Sequence, residues 1–114
     1  MSWSIYLERK KGLRRKKYVI CNVPRFCEGG TYCLGGEEVA NLNVTYNYGE
    51  FFSFGDLHNK KAKHTIKILQ KVVKELGTNT DKDYWARTPG NVGHACNILL
   101  NWAKQHPKAV WRVS

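Results

Sequence analysis

Residues 60–76 read KKAKHTIKILQKVVKEL. Ala62, Ile66, Leu69, Val73 and Leu76 recur at the spacing of one helical face, which predicts an amphipathic helix. Gly77 follows as its stop. Downstream, Thr88 can cap a second helix with Pro89 at its first position. Val92, Cys96, Leu99 and Ala103 form that helix's apolar stripe, with Ala95 and Trp102 beside it, and Pro107 ends it. Thr78 to Arg87 is a polar connection carrying Tyr84 and Trp85. Ala109 to Val113 reads as a short final strand.

Upstream, Glu38 to Tyr48 looks extended, and Gly49 to Asn59 is an aromatic loop with Phe51, Phe52 and Phe54. Pro24 to Gly36 is punctuated by Gly29-Gly30 and Gly35-Gly36, a turn signature. Ser4 to Leu7 and Tyr18 to Cys21 read as strands around a charged turn with Gly12 in it, which suggests a hairpin. The expected fold is therefore α+β: a small antiparallel sheet packed against two helices. The sheet would consist of an N-terminal hairpin, a central strand and a short C-terminal strand.

A length of 114 residues fits a single domain, and 42% hydrophobic with 12% aromatic residues is enough for one core. The net charge is +10. That imbalance speaks to partners, which should be polyanionic or acidic. No apolar run is long enough to span a bilayer, and the first residues are too polar for a secretory signal. The expected setting is the cytosol of the cell that makes the protein, with no membrane partner.

The charge falls in two places. Arg9, Lys10, Lys11, Arg14, Arg15, Lys16 and Lys17 crowd the predicted hairpin tip. Like charges this dense repel, so the cluster is costly unless something pairs with it. Trp3, Tyr6 and Tyr18 lie nearby and could stack on bases or belong to the core. Lys60, Lys63, Lys67, Lys71 and Lys74 fall on one narrow helix face opposite the apolar stripe. Such a face is either solvated or a track for phosphates or an acidic partner. Glu75 is the helix's one acidic residue, so it lacks the mixed signs that give i,i+4 pairs.

Polar and aromatic residues form a third group. Alternation over Asn43 to Tyr48 sends Asn43, Thr45 and Asn47 to one face and Val44, Tyr46 and Tyr48 to the other. The first set could line a polar pocket or form a structural network. The helix start at Thr88-Pro89-Gly90-Asn91, preceded by Arg87, could receive an anion. Gly90 would admit a ligand close to the backbone, and Tyr84 and Trp85 could form a stacking wall.

Catalytic templates are poorly met. Cys21, Cys27 and Cys33 are spaced by six, which matches no Cys-x2-Cys zinc pattern. His94 and Cys96 are two apart on a helix and diverge. No phosphate loop or dinucleotide fingerprint is present. No metal or cofactor is implied, and binding is expected rather than catalysis.

Three segments occur in order: Gly-Gly-Thr-Tyr-Cys-Leu-Gly-Gly at 29–36, Leu-Asn-Val-Thr-Tyr-Asn-Tyr at 42–48, and Tyr-Trp-Ala-Arg-Thr-Pro-Gly-Asn at 84–91. In these the chain resembles a family of small proteins associated with phages and prophages. The similarity spans most of the chain and extends to Met1–Leu7 and Pro107–Trp111. The family has no established activity, so the resemblance supplies no catalytic residues. The basic stretch at 9–17 departs from the family pattern. A pocket shared with the family would lie instead among Tyr32, Asn43, Thr45, Asn47, Tyr84, Trp85, Arg87, Thr88, Gly90 and Asn91.

By analogy with small non-enzymatic phage proteins, the resemblance implies an accessory protein that binds and inhibits a host defence component. A nucleic-acid-binding CRISPR effector would suit the charge. The alternatives are a pocket that sequesters a nucleotide signal, and direct binding to DNA or RNA.

Overall fold

The computed structural model describes residues 2–11, 15–18, 26–28, 31–33, 41–83 and 86–114. The fold is α+β. Among the described residues six strands form one sheet: β1 (Ser2–Lys11), β2 (Arg15–Tyr18), β3 (Phe26–Glu28), β4 (Thr31–Cys33), β5 (Asn41–Thr45) and β6 (Val110–Val113). Two α-helices accompany it, α1 (Ile66–Leu76) and α2 (Pro89–Gln105).

β1 organises the sheet. Its residues 2–6 pair with β5, residues 5–8 with β6, and residues 8–11 with β2, all antiparallel. Glu8 faces both Tyr18 and Val110. β2 and β6 therefore lie on opposite edges of β1, and β2 continues the edge that β5 begins. β4 pairs with β5 and β3 with β4.

Alternation along the strands divides the two faces. Ile5, Leu7, Leu42, Val44 and Trp111 are buried and share one core with Leu69 of α1 and Ala95, Leu99, Trp102 and Ala103 of α2. Both helices thus cover one face of the sheet. A hydroxyl ties the layers together: buried Thr65 donates to the carbonyl of Ala62 (2.7 Å) and accepts from the indole N–H of Trp111 (2.8 Å).

The helices meet at their ends. A Cβ added to Gly93 in α2 would lie 1.7 Å from the Gly77 carbonyl oxygen, so only glycine permits this approach. Gly77 itself takes φ 74° and ψ −178°, a conformation essentially confined to glycine, and its N–H bonds the Val73 carbonyl to close α1.

Several expectations need correcting. The N-terminal hairpin is present, but its strands reach further into the basic stretch than expected, and residues 12–14 lie outside the described residues. Arg9, Lys10 and Lys11 continue β1, and Arg15, Lys16 and Lys17 form most of β2. Arg14 and Val19–Cys21 lie outside the described residues. The glycine-punctuated stretch contains β3 and β4, whose three residues each are too short to show a period. The predicted helix begins with a 3-10 turn at Ala62–Thr65, and the α-helix proper starts at Ile66. Lys60 precedes both.

The extended run also stops early. After Thr45 the chain turns into a 3-10 helix at Tyr46–Glu50, which breaks the alternation: Tyr48 is buried, while Tyr46 and Asn47 are exposed. The aromatic loop winds through a second 3-10 helix at Phe54–Leu57. Phe52 and Phe54 enter the core edge to face, 5.0 Å apart, and Trp3 packs on Phe54 and Tyr46 at 5.5 and 4.7 Å.

Candidate functional site

The arm formed by β1 and β2 sets basic residues opposite one another. Its register is Arg9 to Lys17, Lys10 to Lys16 and Lys11 to Arg15, so like charges face each other on three successive rungs. Directly opposed like charges destabilise an antiparallel pair. Among the described residues, the ladder to β5 stops at Tyr6 and the ladder to β6 stops at Glu8. Among the described residues Arg9–Lys11 therefore pair with β2 alone, and the charged rungs form a two-stranded extension of the sheet.

The root of this arm is anchored by ions. Arg112 Nε donates to Glu8 Oε2 at 2.6 Å, with both side chains largely shielded, and Arg112 Nη1 donates to Asn59 Oδ1. Asn59 adopts φ 68°, and the neighbouring His58 accepts the Val113 N–H on Nδ1 at 3.0 Å.

Lys67, Lys71 and Lys74 are exposed on α1, and Lys60 and Lys63 are exposed ahead of it. This basic face borders a cleft of about 400 Å³. Phe51, Phe52, Leu57 and Ile68 give the cleft apolar surface, and Ser53, Asp56, Lys60, His64 and Thr65 give it polar groups. Phe51 is 37% and Ile68 51% exposed, high for large apolar side chains. Sequence reading missed this cleft. The signal available was Ile68, an isoleucine off the apolar stripe and among lysines.

The described polar candidates fall on β5, on the 3-10 turn after it and on the segment that starts α2. Asn43 is half-buried on β5, opposite Tyr32 of β4 on one side and Ser4 on the other. Thr45 is buried at the end of the strand, and Asn47 leaves it for the exposed 3-10 turn. Tyr84 and Trp85 lie outside the described residues. Arg87 pairs with Glu50 at 2.5 Å, which ties the segment before α2 to that turn.

The start of α2 serves the chain itself. Thr88 caps it by accepting the Asn91 N–H at 3.2 Å. Asn91 is buried; its amide donates to the carbonyls of Asp83 (3.2 Å) and Ala86 (2.9 Å), and its Oδ1 accepts the Asp81 N–H at 2.8 Å. The close approach at Gly90 is made by the Asn79 carbonyl, 1.8 Å from where a Cβ would stand. These contacts fasten Asn79, Asp81, Asp83 and Ala86 to the start of α2 and occupy the Asn91 side chain and the Thr88 hydroxyl.

Cys96 is a free thiol buried on α2, and burial pushes its pKa up to about 12. It stays protonated near neutral pH, which disfavours a nucleophilic role. Cys27 faces Tyr32, and Cys33 faces both Phe26 and Leu42, in the ladder registers. Cys21 lies outside the described residues.

No family model, curated protein or solved structure matches this chain. Among the described residues, no helix is long and apolar enough to cross a membrane.

Proposed function

We propose that this protein acts by binding, and that the basic arm engages a polyanionic or acidic partner. The observation that carries this reading is the register of β1 and β2, which opposes like charges on three successive rungs. Such an arrangement costs the hairpin stability in isolation. An anionic surface laid along it would reverse the sign of that cost and release counterions. The exposed lysines of α1 add a second basic face.

With the resemblance to small phage-associated proteins, this points to an accessory protein acting in the cytoplasm of a bacterial host. Its target would be a host defence component that handles nucleic acid, such as a CRISPR effector. The arm would occupy or compete for that component's nucleic-acid contacts.

The test is capture from host lysate, with and without nuclease, alongside titration of labelled oligonucleotides across salt concentrations. The informative variant is the double reversal Lys10→Glu with Lys16→Glu. It keeps the middle rung like-charged but makes it acidic, which lowers the formal charge of the three rungs from +6 to +2. A protein partner should survive nuclease and be lost with the double variant. Direct nucleic-acid binding should instead weaken steeply with salt, with a slope that flattens by about 0.9 per phosphate contact removed. If the wild type ignores oligonucleotides at low salt, and any captured host protein is retained by the double variant, the reading fails.

A further inference from the structure

We infer that the cleft beside α1 is a docking site for an acidic peptide segment of a partner protein, anchored by a bulky apolar side chain. The inference stands whether or not the arm binds a polyanion, because it rests on a different surface. The cleft is formed where the aromatic segment, with Phe51 and Leu57, meets the 3-10 turn ahead of α1, with His64, and the first turn of α1, with Ile68. Its volume of about 400 Å³ is within the range of sites that accept a large side chain or a small ligand.

Two observations choose the occupant. The first is Ile68. It stands four residues after His64 and three before Lys71, the spacings at which helix side chains are neighbours. It is the half-exposed apolar residue beside a lysine face, and it lines the cleft. Burying it together with Phe51 would remove apolar surface from water, which favours a partner side chain in the cleft. The second is charge. Lys60 lines the cleft, Lys63, Lys67 and Lys71 follow along the same exposed side, and Asp56 is the carboxylate among the lining residues. This field favours carboxylates flanking the anchor.

A nucleic acid suits the site less well. Of the large aromatic side chains lining it, Phe51 is exposed and Phe52 is buried, and a single ring beside Leu57 and Ile68 offers no stacking track for successive bases. A peptide supplies what both halves of the site call for: an apolar anchor, and acidic residues flanking it.

A random dodecapeptide library selected against the full chain tests this, with Ile68→Ser and Phe51→Ser proteins as counter-baits. Both positions are exposed, so the variants should fold, and their thermal unfolding confirms it. Enriched peptides should carry a large apolar residue flanked by Asp or Glu. Their affinity should fall by about tenfold or more on either cleft variant, a difference readily resolved, and should be unchanged by Lys16→Glu in the arm. Enriched peptides that bind the cleft variants equally, or that lack acidic residues, would overturn the proposal. So would the absence of enrichment over the counter-baits. Oligothymidylate shifting the backbone amide signals of the cleft, where the selected peptides do not, would assign the site to nucleic acid instead.

Discussion

An alanine at position 93 would drive its methyl group against the Gly77 carbonyl, 1.7 Å away, and both partners are backbone. Neither can rotate aside, so Gly93→Ala should part the ends of α1 and α2. Overpacking of this kind costs about 1–3 kcal/mol or more, readable as a lowered midpoint in urea. Thr65→Val acts by a different route. The substitution is nearly isosteric, but it leaves the Trp111 indole N–H buried without its acceptor, at about 1–3 kcal/mol. Thr65→Ser, which keeps the hydroxyl, should recover most of that loss. Cys96 should resist thiol reagents in the native protein and react once it unfolds. Its pKa rises on folding from 9.0 to about 12. Folding therefore favours the protonated thiol. The stability this contributes is fully present below pH 9.0 and is lost progressively as pH climbs toward about 12. A Cys96→Ala protein should show a shallower alkaline decline in unfolding free energy. None of these three residues announces its role in the sequence, because each depends on a neighbour distant along the chain.

At the scale of elements, the arm makes a prediction with two opposite signs. Lys16→Glu replaces a like-charged rung with an attractive one against Lys10. The arm should become more stable by up to about 1 kcal/mol, visible as slower amide exchange at residues 9–11 and 15–17, while binding to any polyanion weakens. A purely structural hairpin would gain stability and lose nothing. The two helices were legible in the sequence because each carries its own evidence. α1 has an unbroken apolar stripe, and α2 has the Thr88-Pro89 start, whose cap the structure contains. The final strand was legible for the same local reason. β3 and β4 were not, since strands this short borrow their stability from β5 and show no alternation of their own. The basic residues were placed in a turn because charge runs are usually solvated loops. Here β1 runs on to Lys11 and β2 begins at Arg15, and nothing in residues 9–17 alone says that pairing outweighs repulsion. Likewise Asn47 reads as a strand residue until Tyr48 is seen to be buried, which pulls the chain out of the sheet after Thr45.

At the scale of the whole molecule, the surfaces differ in kind: a charged two-stranded extension of the sheet, and a cleft whose charge lies beside apolar walls. Sequence reading located the lysines but not the cleft, because which of Phe51, Phe52 and Phe54 stays outside is settled by packing against Trp3 and α1. Reversing Lys67 should therefore reduce capture of an acidic peptide without altering behaviour at the arm, a separation that titrations of the two variants can check. One further feature concerns how the molecule bears load. Ser4 and Ser114 bond each other through both backbone groups, N to O at 2.8 and 3.0 Å, and β6 runs antiparallel to β1 from that point. The two ends of the described chain thus leave from the same corner of the sheet. Pulled apart through them, β6 would peel from β1 one bond at a time, like a zipper opened from its end, rather than shear along its length. Held in an optical trap, the protein should yield at a low force, and α1 and α2 should come away only after the C-terminal strand has opened.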